Sequence, residues 1–434
     1  MVVTYKEAID WIHSRLRLGM KPGLKRMEWM MERLAHPEQH IKTIHVAGTN
    51  GKGSTVCYLR TILQEAGYNI GTFTSPYIEQ FNERISINGV PIHDEEIVSL
   101  VNEIKPLAEQ LEHTELGSPT EFEVITAMAL VYFAKTKQVD LVIFETGLGG
   151  RLDSTNVIDP LFSIITNIGF DHTAILGETV EEIAYEKSGI IKPDSPVITS
   201  VEQEEALQVI LAKAQSTNSQ VYQYNLDFTI ANYQSTKSGE SFSIKTPFLT
   251  INDLNSKMKG AHQVKNAALA IMAAVYLKTH FSMTIEEVHI RDGIKAAFWA
   301  GRFETLMAEP MVIIDGAHNP EGVQALCKTL NDHFNDKKIH IIFSALADKH
   351  IGDMLNPLAD IAERLTCTSF DFPRSLSARE LYDQCSRSNK DYEEDWKVVI
   401  NEKLNSIPKD DVLIITGSLY FISEVRLHIL GCLS

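Results

Sequence analysis

The chain has 434 residues, 44% of them hydrophobic and 22% charged, a composition that buries full cores and excludes a disordered polypeptide. At roughly 150 residues per domain, one domain is too few for this length. Forty Lys and Arg against 57 Asp and Glu leave a net charge of −17, which argues against a general binder of nucleic acid or anionic membrane, so a polyanionic ligand has to be held by a local exception.

The first segment, MVVTYKEAIDWIHSRLRLGM, spaces Ile9, Ile12 and Leu16 as on one helix face, and acidic residues interrupt its apolar runs, so it does not read as a signal peptide. The longest apolar stretch, residues 124–134, is far short of the roughly 20 residues of a membrane span. Apolar, β-rich runs follow at 43–47, 141–146, 162–168 and 197–201, then at 312–315, 340–343 and 412–416. Helix-like segments lie between most of them, at 55–66, 121–136, 180–187 and 322–334. This alternation predicts an α/β fold with mostly parallel sheets. Residues 227–246 alternate apolar and polar around Gly239 and predict an antiparallel hairpin at a sheet edge. The second group of strands begins after a helix near 285–297, which places the domain boundary at 296–300 and gives domains 1–297 and 298–434. Five scattered cysteines without zinc-type spacing read as reduced thiols of a cytoplasmic protein.

Ligands of open parallel sheets bind beyond the carboxyl ends of strands, so the residues just after each strand are where chemistry is sought. The first strand runs into Gly48-Thr49-Asn50-Gly51-Lys52-Gly53-Ser54-Thr55 and then a helix. Glycines let backbone N–H groups turn toward an anion, a helix N-terminus adds partial positive charge, Lys52 adds a point charge, and Ser54 or Thr55 can reach magnesium. Residues 39–64 hold Lys42, Lys52 and Arg60 and no acid, which is the local exception required. The pattern departs from the strict P-loop, with Val46 and Gly53 at two of its positions. The next strands end in Glu145, followed by Gly147, Gly149 and Gly150, and in the run Thr166 to Thr173, where His172 occupies a ligand position. Lys187, in the last turn of a helix before Gly189, reads by itself as a helix cap. The second group of strands ends in Asp315-Gly-Ala-His318-Asn319-Pro320 and Ser344-Ala-Leu-Ala-Asp348-Lys349, with Gly301-Arg302-Phe303-Glu304 at the junction. An acid, a His and an Arg can thus face the phosphate cradle across an inter-domain cleft.

Taken together, GTNGKGS at 48–54, TSPYIEQFNERI at 74–85, TEFE at 120–123, ETGLGGRLD at 145–153, GFDHT at 169–173, EKSGI at 186–190, HQVKNA at 262–267, GRFE at 301–304 and DGAHNP at 315–320 resemble the folylpolyglutamate synthase and dihydrofolate synthase family, the folate branch of the Mur-type peptide ligases. The resemblance implies an ATP-binding, P-loop-containing first domain, a smaller Rossmann-like second domain, and ATP-dependent joining of L-glutamate to dihydropteroate, to the γ-carboxylate of a folate, or to both. It assigns the phosphates to Gly48–Ser54 with Lys52, one or two magnesium ions to Ser75, Glu145 and His172, and a CO2-derived carbamate to Lys187. It places Asn266, Arg302, Asp315 and His318 on the nucleotide and glutamate side of the cleft, Phe122 and Asp153 near the pterin, and Ser418 near the glutamate. It also implies a monomer whose partners are small molecules. Two positions depart from the family pattern: Ala300 stands where proline is common before GRFE, and Ser188 where alanine is.

Phosphorylation gives a carboxylate the leaving group that amide formation in water requires, and domain closure keeps water from the acyl phosphate. The same chemistry on a nucleotide-sugar peptide is the alternative; a GTPase or kinase would share only the cradle, and the guanine-reading NKxD motif does not occur in the chain. A non-enzymatic nucleotide sensor would have the cradle without a working acceptor site.

Overall fold

The computed structural model describes residues 1–19 and 21–433. Its first sheet has eight strands, ordered from edge to edge as Val90–Pro91, Ile85–Ile87, Ile70–Phe73, Leu141–Glu145, Thr43–Ala47, Ser163–Ile165, Val197–Thr199 and Val221–Gln223. The last six run parallel and the first two antiparallel. The central strands TIHVA and LVIFE are buried at every position, as expected where helices cover both faces of a parallel sheet. On one face lie the helices Lys52–Glu65, Ala261–Phe281 and Glu287–Ala296. Ala267, Ala268, Ala270, Ala273 and Ala274 are buried all round the second of these, and small side chains allow the close approach of its neighbours. The helices Tyr5–His13, Lys25–Arg33, Asp94–Glu112 and Glu121–Val131 cover the other face.

The second sheet has six strands, ordered Glu304–Ala308, Met311–Asp315, Val412–Thr416, Ile339–Phe343, Arg364–Ser369 and Lys390–Asp395. All but the first run parallel, with separate apolar clusters on its two faces. The fold is therefore α/β with two mostly parallel sheets, as expected. One expectation is corrected. Residues 227–246 do form an antiparallel hairpin, Thr229–Thr236 with Gly239–Lys245, but it is not an edge of the main sheet: a third strand, Thr250–Ser256, completes a separate three-stranded sheet. Its inner face buries Phe242, Ile244, Ile251 and Leu254 in the core under Ala261–Phe281.

Polar and apolar contacts join the two units. Asn50 and Asn319 exchange side-chain hydrogen bonds at 3.1 and 3.0 Å. Ile78, from the loop after Ile70–Phe73, is buried in the second unit's core beside Phe421 and Ile422, and Arg426 of the helix Leu419–Leu433 pairs with both Glu79 and Glu304. Buried Glu240 of the small sheet accepts from His333 at 2.8 Å and from the Gly260 N–H at 2.6 Å.

Candidate active site

The strand Thr43–Ala47 delivers the loop 48–51, and the helix Lys52–Glu65 starts at once, with Gly51 as its N-cap and no acid in its first turn. The N–H groups of that turn have no intrahelical acceptors, so they and the helix dipole favour an anion. The loop is held from outside. Asn50 N–H donates to Asn167 at 2.7 Å, Thr166 donates to the Asn50 carbonyl at 2.6 Å, and the Thr49 hydroxyl both donates to and accepts from the Gly169 backbone, at 3.1 and 3.0 Å. Two glycines are sterically required. A Cβ on Gly48 would lie 1.8 Å from the Thr166 hydroxyl, and one on Gly51, at φ 83°, would lie 2.3 Å from Asn266 Oδ1. Gly53, the departure from the strict P-loop, has an explanation: a Cβ there would lie 2.9 Å from the indole nitrogen of Trp299, so glycine lets this junction residue cover the start of the helix. Ser54 and Thr55 are buried.

Gly51→Ala is expected to weaken ATP binding by roughly ten-fold or more, since it adds left-handed strain and displaces Asn266. Titration with a fluorescent ATP analogue measures this, and wild-type affinity would contradict the account of the loop.

Lys52 Nζ donates to the carbonyls of Gly48 and Thr49 at 3.0 and 3.2 Å, lying along the loop it is meant to serve. Lys187 is buried and reaches the same Gly48 carbonyl at 3.0 Å. Burial, reinforced by the nearby charge of Lys52, lowers its pKa to about 7. Glu145 is buried at the end of its strand, one oxygen accepting the Ser75 N–H at 3.3 Å. Burial raises its pKa to about 7 against the opposing pull of Lys52, the Ser75 N–H and Arg302.

The second unit meets this cluster at Asp171. Its carboxylate takes Lys349 Nζ at 2.5 Å, with His318 Nε2 and Asn319 Nδ2 each at 3.5 Å. Burial works against its ionisation, but His318, His172 and Lys349 outweigh it and hold the carboxyl well below the usual range. Burial lowers the pKa of His172, with Asp171 opposing, which favours the neutral imidazole. Arg302 is half-buried; burial lowers its pKa, and the charges of Asp315 and Glu145 offset part of that cost. A Cβ on Gly316 would lie 2.2 Å from Arg302 Nη1, so that glycine makes room for the guanidinium. Asp315 itself accepts the N–H groups of Phe303 and Ala317 at 2.8 and 2.9 Å, which shapes the loops bearing Arg302 and His318.

Among the described residues no three His, Cys, Asp or Glu side chains converge as a metal cluster. Phe122 packs at a tilt of 43° against Phe73, with ring centroids 5.7 Å apart, and abuts Gly147, where a Cβ would lie 2.5 Å from the ring. Asp153 is buried with its oxygens engaged, accepting Leu148 N–H at 2.7 Å and the N–H and hydroxyl of Thr155 at 3.0 and 2.5 Å. Its visible work is to fix the glycine-rich loop. Ser418 is buried behind Gly417 at the start of the helix Leu419–Leu433. Sequence reasoning quoted Asp171, Asn319 and Lys349 at strand ends but gave them no role, and it gave none to Trp299. Their partners are 148 to 269 residues away for the first three, a pairing that position after a strand does not specify.

Two family models match the chain in order: the Mur ligase middle domain over residues 46–274, and the Mur ligase glutamate ligase domain over residues 301–419. A dihydrofolate synthase/folylpolyglutamate synthase of Bacillus subtilis is 50% identical, over 98% of this chain and 99% of its own length. The fold matches Mycobacterium tuberculosis folylpolyglutamate synthase, solved with ADP and AMPPCP, with a TM-score of 0.90 at 28% identity over 98% of this chain and 99% of that one. It also matches a folylpolyglutamate synthase solved with AMPPCP and folate, with a TM-score of 0.84 at 33% identity over 99% of this chain and all of that one. Both Mur ligase domains are present in sequence order, and the chain belongs to the folylpolyglutamate synthase/dihydrofolate synthase family of Mur ligases.

Proposed function

We infer that the chain is an ATP-dependent ligase that joins L-glutamate to dihydropteroate, to the γ-carboxylate of folates, or to both, through an acyl phosphate. The observation that carries this reading is a braced phosphate loop whose flank, at Glu145 and Asp171, is met by Arg302, His318 and Lys349 of a second α/β unit. The full-length likeness to a curated dihydrofolate synthase/folylpolyglutamate synthase supports the folate class of acceptor over a nucleotide-sugar peptide.

The roles follow from position. The backbone of residues 48–54 and Lys52 hold the ATP phosphates, and Lys52 and Arg302 spread the charge that develops as the γ-phosphoryl moves to the acceptor carboxylate. Asn266 and Asp315 line the nucleotide side, and His318 faces the acyl phosphate from the second unit. The glutamate amine attacks the acyl carbon and phosphate leaves. The junction residue Trp299 and the Asn50–Asn319 seam limit the access of water to the loop.

Magnesium, when bound, neutralises phosphate oxygens and favours oxygen ligands. The residues that would hold it are Ser75, Glu145, His172 and, carbamylated, Lys187. The donor set fits: Glu145 is a buried carboxylate at a strand end, and the hydroxyls of Thr55 and Thr146 are buried without partners among the described residues. A buried lysine with pKa near 7 supplies the neutral amine that carbamate formation needs. Phe122 and the loop fixed by Asp153 form the pterin side, and Ser418 the glutamate side. Domains 1–297 and 298–434, a monomeric state and a cytoplasmic location complete the proposal; all five cysteines are free thiols, as suits a reducing compartment.

The test is product analysis by mass, with ATP and L-glutamate and with dihydropteroate or tetrahydrofolate offered separately. At least one acceptor is expected to gain one glutamyl residue per ATP hydrolysed. Turnover with neither would refute the reading.

A further inference from the structure

Arg84 is a buried cation that the site described so far does not use. Arg84 ends the short helical turn Phe81–Arg84 and is 9% exposed. Its guanidinium carbon lies 5.3 Å from the centre of the Tyr77 ring and 5.6 Å from that of Phe81, two rings that pack edge-on against each other. Its Nε is sealed from solvent with no hydrogen-bond partner among the described residues, and its Nη2 makes only a loose ion pair with Glu121 Oε1, at 3.9 Å and beyond hydrogen-bond length. A buried guanidinium is costly unless a carboxylate or similar anion completes it, and its planar fork suits bidentate recognition of a carboxylate.

The sheet order says which carboxylate. The phosphate loop follows Thr43–Ala47, Glu145 ends the neighbouring strand, Ser75 follows the next, and Arg84 opens the strand after that, its carbonyl accepting the Thr74 N–H at 3.0 Å. Arg84 thus lies about 14 Å, or three strand spacings, from the phosphate loop, on the far side of Glu145. A carboxylate phosphorylated over Glu145 lies two strand spacings, about 10 Å, from the backbone of Arg84. Glu121 and Phe122 stand on the same flank, at the start of the helix Glu121–Val131. In a folate acceptor the γ-carboxylate reacts, and the α-carboxylate of the same glutamyl group lies a few bonds away. Dihydropteroate carries a single carboxylate, the reacting one.

Resting on the ligase reading above, we propose that Arg84 is a specificity-determining residue that binds the α-carboxylate of the acceptor's terminal glutamate, and so separates folate acceptors from dihydropteroate. The test compares wild type, Arg84→Met, which keeps length and apolar packing, and Arg84→Lys, which keeps the charge without the fork. KM and kcat are measured for tetrahydrofolate, for dihydropteroate and, with each acceptor, for L-glutamate. Arg84→Met is expected to raise the KM for tetrahydrofolate by about ten-fold or more, with partial recovery in Arg84→Lys, while the KM for dihydropteroate and for L-glutamate changes less than about two-fold. Normal turnover of dihydropteroate by the variant also shows that it folds. Equal loss with both acceptors, a raised KM for L-glutamate with both, no change at all, or a wild type that uses dihydropteroate alone would each overturn the Arg84 assignment and leave the ligase reading standing. A wild type that turns over neither acceptor would overturn both.

Discussion

Lys187→Arg is expected to lower ligation by roughly a hundred-fold or more, the scale of losing a group that organises transition-state charge. Two roles compete for this lysine. As a brace it donates to the Gly48 carbonyl at 3.0 Å from the end of the helix Val180–Ser188, a task an arginine can share. As a carbamate it needs a neutral amine, and burial together with Lys52 supplies one by lowering its pKa to about 7. Arginine keeps its proton and takes up no CO2. The measurements are the activities of Lys187→Arg and Lys187→Ala side by side and a mass search for one CO2 on the wild-type chain. An arginine variant with near-normal turnover would return Lys187 to the brace.

Lys52→Ala is expected to cost roughly two orders of magnitude or more in phosphoryl transfer while the fold persists. The side chain lies along the loop, stapling the Gly48 and Thr49 carbonyls, and no core cluster includes it. Its loss removes a charge aimed at the phosphates and loosens the turn that presents the N–H groups. Single-turnover measurement of acyl-phosphate formation, with a thermal melt beside it, separates the two effects. Near-normal turnover by the folded variant would refute the phosphate-cradle assignment.

The central strands were legible because they are buried on both faces: TIHVA, LVIFE and VLIIT are mostly apolar runs with every residue buried. The strand Lys390–Asp395 was not, because it lies at the sheet edge, and its residues KDYEED are partly buried or exposed. The strand Ile70–Phe73 has four residues and carries Gly71, which makes room for Phe133; so short a segment bears little periodic signal. The third strand of the small sheet, TINDLNS, alternates only in part and lies beyond the hairpin that drew attention. Lys52, Glu145, Arg302 and His318 are candidates that the sequence offers because each follows a strand or opens a unit. The seam at Asp171 is not one, because its meaning lies in Lys349 and Asn319, brought from the other unit. Asp153 was read toward the pterin, whereas its oxygens turn inward to Leu148 and Thr155.

The acyl phosphate is the central claim, and oxygen transfer tests it directly. The acceptor is prepared with 18O in its reacting carboxylate, the full chain is supplied with ATP, magnesium and L-glutamate, and the inorganic phosphate released is analysed by mass. If the γ-phosphoryl passes to the carboxylate before the glutamate amine attacks, one 18O leaves with each phosphate. Phosphate free of the label, accompanied by glutamylated product, would contradict the mechanism.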